Sequence, residues 1–240
     1  MSGALTYQEL GHCRVVELGA ASTPSELAET CERIAWDEQA RIVVLIFGPE
    51  IHNQPQTECD AGGASFVDPV ARLKQPVIGA IRGDATGLAL ELALACDLRI
   101  GIENARFGLP RIREGAMPFN GGTQRLPRLI GQGRAMQMIL TGELIDSTEA
   151  LRIGLLQRVV APDALAGAVM DLAQAMATKS PLSLSYVKEA VYAGRDLTLD
   201  QGLRMELDLY LLLFTASDRA EGIRAFMEKR KPDFKGEGLI

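Results

Sequence analysis

Residues 76–97 read PVIGAIRGDATGLALELALACD, and the reading of this stretch decides the fold. Pro76 to Ile81 is a short apolar run, opened by a proline and closed by the turn Arg82-Gly83-Asp84, which is the pattern of a buried strand. Thr86 to Cys96 is then almost entirely Leu and Ala, the composition of a helix buried on all sides. One charge, Glu91, stands inside that helix. An isolated carboxylate among such neighbours must be paired, solvated by a cleft, or protonated through desolvation.

Outward from this centre the pattern repeats. Cys13 to Leu18 predicts a first strand, and Pro24 to Asp37 an amphipathic helix with a capping-box start and apolar Leu27, Cys31 and Ile34 on one face. Arg41 to Phe47 holds the run IVVLIF, a strand buried on both faces. After Gly48-Pro49 the chain is polar and irregular to about Ser65, long enough to read as a binding loop. A short helix ends over Ala71–Lys74, Leu98–Ile100 is a fourth strand, Phe107–Gly122 a loop punctuated by Gly and Pro, and Gly122 opens a helix toward Gly131. Alternating strands and helices predict a parallel sheet joined by right-handed crossovers. From Arg134 the chain is helical (135–140, 147–153, 162–178, 181–193, 198–214), with one strand at 156–160. No linker separates two independent domains.

Composition narrows the function. With 47% hydrophobic residues in 240, a large buried core is available. Lys and Arg total 25 against 31 Asp and Glu, a net charge of −6, which argues against a nucleic-acid face; 5% aromatics and a single Trp36 argue against base stacking. The four cysteines lack ligand spacing and read as reduced thiols. No signal-peptide pattern and no apolar run of about 18 residues is present, so the expectation is a soluble, cytoplasmic protein without a membrane partner.

Three stretches together resemble the crotonase (enoyl-CoA hydratase/isomerase) superfamily. The first is Pro76 to Asp97. The second is Ala105-Arg-Phe-Gly-Leu-Pro110 followed by Gly121-Gly-Thr-Gln-Arg-Leu-Pro127. The third is Leu140-Thr-Gly-Glu143, then Glu149 to Leu156, and finally Asp218 to Phe234. The resemblance implies an α/β fold, a spiral of β-β-α units over about residues 1–195, and a C-terminal helical region, 196–240, that assembles homotrimers or hexamers. It implies an acyl-CoA thioester as substrate, with coenzyme A entering as part of that substrate and no tightly bound cofactor or metal.

It also implies a set of site residues. The oxyanion donors fall on the amides of Gly63 and Leu88, beside Ala61 and Gly87, because backbone donors at a helix start suit a developing anion. Both loops depart from the family: Gly62-Gly63-Ala64 replaces Gly-Ala-Asp, and Leu88 stands where glycine would leave more room. Glu91 matches the first hydratase glutamate, whose raised pKa suits acid/base work near neutrality. The second glutamate is replaced by Arg111, after Pro110, and a guanidinium cannot be a base. Glu114 is either its substitute or a solvated charge. Phe119 replaces part of a Gly-rich turn and would fill space. His52 and Asp60 sit in the substrate-side loop. Phe226 and Lys229 would border the nucleotide of coenzyme A, or belong to a solvated basic end.

Three functions follow, in order of preference. One is a hydratase or isomerase in which Glu91 moves a proton beside the thioester, although hydration with one carboxylate is the harder case. The second is a hydrolase or decarboxylase in which Arg111 binds a substrate carboxylate. The third is a catalytically degenerate subunit of an oligomer.

Overall fold

The computed structural model describes residues 4–51 and 65–236. The chain enters through a hairpin, β1 (Thr6–Leu10) antiparallel to β2 (Cys13–Glu17), turning at Gly11 with φ +61°. There follow α1 (Pro24–Ala35), β3 (Ile42–Phe47), α2 (Asp68–Ala71), β4 (Val77–Ile81), β5 (Ala85–Thr86), α3 (Leu88–Ala95), β6 (Leu98–Ile102) and β7 (Arg106–Gly108). The second half holds α4 (Gly122–Ile130), α5 (Gln132–Thr141), β8 (Ile145–Asp146), α6 (Ser147–Arg152), β9 (Arg158–Val160), α7 (Leu165–Ala177), α8 (Pro181–Gly194), α9 (Leu199–Leu213) and α10 (Ser217–Met227).

Six strands make the main sheet in the order β1-β2-β3-β4-β6-β9, parallel from β2 onward. A smaller sheet, β5-β7-β8, stands beside it. The β-β-α unit is visible twice in succession, as β4-β5-α3 and as β6-β7-α4. β3 shows why its run is apolar throughout. Val43, Leu45 and Phe47 join the larger core with α1 and α3, while Ile42 and Val44 meet Leu165, Val169 and Ala173 of α7 on the opposite face. Successive strand side chains alternate in direction, so a strand covered on both sides must be apolar at every position.

α1 starts on a capping box between Thr23 and Glu26 and buries Leu27, Cys31 and Ile34, as its spacing predicts. Three sequence expectations need correction. The first strand is β1 rather than Cys13–Leu18, because TYQEL is mostly exposed and carries no apolar run. The stretch Phe107–Gly122 is not plain loop: it begins in β7 and contains a 3-10 turn, Pro110–Glu114, elements too short to show a period. α10 was absent from the periodicity reading, and only Asp218 and Ala225 of it are buried.

α8 is tied to the core by Lys188, whose Nζ donates to Asp97 Oδ2 at 2.8 Å and to the Gln75 carbonyl at 3.0 Å. α9 buries none of its residues and exposes Leu199, Leu203, Leu207 and Tyr210 at helical spacing. Among the described residues no helix is long and apolar enough to cross a membrane.

Candidate active site

The turn between β5 and α3 is held by a single conformational requirement. Gly87 adopts φ +55°, ψ −122°, a region disfavoured for a residue with a Cβ. Its N–H donates to the Gly108 carbonyl at 3.0 Å, continuing the β5–β7 pairing, and its carbonyl accepts the Glu91 N–H at 3.0 Å. α3 therefore begins at once, with the Leu88 amide in its first turn, where amides have no intrahelical acceptor. The Leu88 amide takes no acceptor among the described residues. The Leu88 side chain is buried in the larger core.

One turn on, Glu91 is 1% exposed. Its Oε1 accepts the Asn120 amide at 2.9 Å and the Gly122 amide at 3.1 Å, and its Oε2 accepts Asn120 Nδ2 at 3.3 Å. These donors come from the segment entering α4. Gly121 is left-handed, φ +92°, which turns the chain so that the amides on either side of it reach the same oxygen. Arg125 Nη1 donates to the Asn120 carbonyl at 2.8 Å and holds that turn from within α4.

Burial pushes the Glu91 carboxyl above the ordinary glutamate value. The hydrogen bonds from Gly122 and Asn120, and the positive charge of Arg111, pull the other way without cancelling it. The outcome is a carboxylate that is oriented by three donors and still basic for its kind.

Arg111 lies in the 3-10 turn after β7, half-buried, with its guanidinium carbon 5.0 Å from the Phe119 ring centroid. Among the described residues it makes no ion pair and no side-chain hydrogen bond. The Phe119 ring is 42% exposed and supports the guanidinium. Gly87 and Leu88 thus start the turn of α3 that carries Glu91, and Asn120, next in sequence to Phe119, links Glu91 to the Arg111–Phe119 pair. Pro110 opens the 3-10 turn, and Glu114 closes it, exposed and with no side-chain hydrogen bond or ion pair among the described residues. Phe226, 84% exposed, and Lys229, exposed and left-handed at φ +53°, stand at the end of α10. Ala61 and Gly63, with His52 and Asp60, lie outside the described residues.

Sequence reasoning missed Asn120 and Gly122 as the partners of Glu91. The signal was the run Asn120-Gly121-Gly122 directly before a helix, where free amides accumulate. It also passed over Arg82, which binds the Leu18 carbonyl at 3.0 Å, Glu50 Oε1 at 2.7 Å and Glu17, and so clamps the C-terminal ends of β2, β3 and β4 together.

Comparison with known proteins bears on the family and the fold. Residues 21–237 match the family described as enoyl-CoA hydratase/isomerase. The (E)-benzylidenesuccinyl-CoA hydratase of Thauera aromatica is 36% identical over 98% of this chain and 97% of its own length. The 2,3-dehydroadipyl-CoA hydratase of Escherichia coli is 46% identical over 68% of this chain and 64% of its own length. The crystal structure of an enoyl-CoA hydratase from Bacillus anthracis superimposes with a TM-score of 0.89 at 34% identity, covering 97% of this chain and 99% of that one. A family match across nine-tenths of the chain, a relative aligned end to end, and a solved structure of the same fold agree: the chain is an enzyme of the enoyl-CoA hydratase/isomerase (crotonase) family.

Proposed function

We propose that the chain hydrates a 2-enoyl-CoA thioester with Glu91 as its single acid/base carboxylate. The observation that carries this reading is the state of Glu91: buried, oriented by Asn120 and Gly122, and raised in pKa by desolvation. Ionised Glu91 takes a proton from water as the water oxygen bonds to Cβ of the acyl chain. The Cα–Cβ π electrons shift toward the thioester carbonyl and give an enolate. The proton held on Glu91 then passes to Cα, the carbonyl re-forms, and the carboxylate is restored. One carboxylate acting twice closes the proton balance, so Arg111 in place of a second glutamate does not forbid hydration.

The enolate oxygen needs fixed donors. The Leu88 amide, with α3 behind it, is one; Gly63 is the second by resemblance to the family. Two of the relatives named above are hydratases of thioesters whose acyl names, succinyl and adipyl, denote dicarboxylic acids, so an acyl group with a free carboxylate falls within this reading. For coenzyme A, Phe226 and Lys229 offer an apolar face and a point charge. The stripe on α9 supports assembly into a trimer or hexamer, with a second copy covering Leu203 and Leu207.

The test is loss of the conjugated enoyl thioester on mixing with crotonyl-CoA and short homologues. Glu91→Gln keeps the shape and an acceptor for both amides but removes the base, so turnover falls by about a hundredfold or more. Unchanged turnover in that variant refutes the mechanism.

A further inference from the structure

The catalytic turn holds a cation that the chemistry above does not use. Arg111 is half-buried, carried at 5.0 Å on the face of Phe119, and without an ion pair or side-chain hydrogen bond among the described residues. The nearby acid, Glu91, is occupied by its own three donors and stands outside ion-pair distance of it. Resting on the hydratase reading, we propose that the acyl group is an unsaturated dicarboxylic acid in monothioester linkage, and that its free carboxylate is bound by the Arg111 guanidinium beside Phe119.

Three physical points favour this occupant. A hydrocarbon acyl tail closing over Arg111 would strip water from a permanent charge and return nothing, which is costly. A carboxylate offers two oxygens to the planar fork of donors, the geometry guanidinium groups match best. The phosphates of coenzyme A are the competing anions, but they lie a full pantetheine arm from the thioester carbon. Arg111 rests on Phe119, the neighbour in sequence of Asn120, whose amide binds Glu91; it therefore lies beside the acyl carbons Cα and Cβ on which Glu91 acts, on the acyl side. Beside it, Ile112, Met117 and Phe119 are all at least 40% exposed, an apolar border suited to the methylenes between thioester and free carboxylate.

The experiment compares matched pairs of 2-enoyl-CoA thioesters with four, five and six carbons, each with a terminal methyl or a terminal carboxylate. For the parent protein kcat/KM favours the carboxylate member by about tenfold or more at one length at least, the discrimination expected where a paired charge is gained or lost. In Arg111→Gln that ratio collapses toward one, and Arg111→Lys restores part of it. A ratio of one or less at every length, or a ratio that survives Arg111→Gln, overturns the proposal.

A second measurement needs no turnover. Calorimetric titration of Glu91→Gln with the saturated pair adipyl-CoA and hexanoyl-CoA shows tighter binding of adipyl-CoA, and the added substitution Arg111→Gln abolishes the difference. If no enoyl thioester is hydrated yet this difference is seen, the hydratase reading fails and the carboxylate site stands. If crotonyl-CoA is hydrated and the pair binds equally, the reverse holds.

Discussion

The amide of Gly122 donates to Glu91 Oε1 at 3.1 Å, and a Cβ built on Gly122 would stand 2.9 Å from that same oxygen. At this position donor and absence of side chain are one requirement: a Cβ on Gly122 would collide with the very oxygen that its N–H binds. The same Cβ would meet Leu109 Cδ1 at 2.9 Å and Pro118 Cβ at 3.0 Å, so there is no free direction for it.

Gly122→Ala is therefore expected to cost about 1–3 kcal/mol of stability through overpacking. Its larger effect falls on turnover, because moving Glu91 by a fraction of an ångström degrades its alignment, and kcat drops by roughly tenfold to a hundredfold. Thermal melts and initial rates on the same samples check both halves. A variant with the parent kcat shows that the approach of Gly122 is not needed to aim the carboxylate.

The raised pKa of Glu91 sets two pH dependences. As a base it must start ionised, so kcat/KM falls on the acid side through a limb lying above the ordinary glutamate range, and Glu91→Gln lacks that limb. For stability the direction is opposite. A carboxyl whose folded pKa is raised stabilises the fold while protonated, fully so below its unfolded pKa, and that contribution is lost as pH rises through the folded value. Melting temperatures across pH 4–9 should thus show Glu91→Gln gaining on the parent as pH increases. A constant difference argues that burial does not raise the pKa.

Lys188 and Asp97 form a mostly buried pair, with side chains 12% and 16% exposed, and Asp97 Oδ2 also accepts the Val77 amide at 2.6 Å. Lys188→Met removes the cation and leaves the carboxylate without its counter-charge. The cost is about 2 kcal/mol, below the range for a fully buried pair because some solvent reaches both groups. That corresponds to a fall in Tm of roughly 4–8 °C. Denaturant titration measures it, and a loss under 0.5 kcal/mol shows that water replaces the lysine.

The exposed row Leu199, Leu203, Leu207 and Tyr210 on α9 predicts self-association. Light scattering at micromolar concentration is expected to give three or six times the chain mass, and Leu203→Lys with Leu207→Lys to lower it. A stable monomer in the parent removes the oligomer from the proposal.

Much of this molecule is legible from residue order alone. The IVVLIF run declares a strand buried on both faces, since alternation of side chains leaves no position for a polar residue. LALELALA declares a buried helix with one carboxylate that needs a reason to be there. What supplies that reason is tertiary: Asn120 and Gly122 lie 29 and 31 residues away in the chain, and only the passage through β6, β7 and the left-handed Gly121 returns their amides to Glu91. The short sheet β5-β7-β8 was illegible for a related reason, because two- and three-residue strands carry no period and exist only through their partners. Sequence could place an arginine where a second glutamate stands in the family. That its guanidinium rests on Phe119, with no acid paired to it among the described residues, was decided by packing, because a side chain's partners depend on which segments the fold sets beside it.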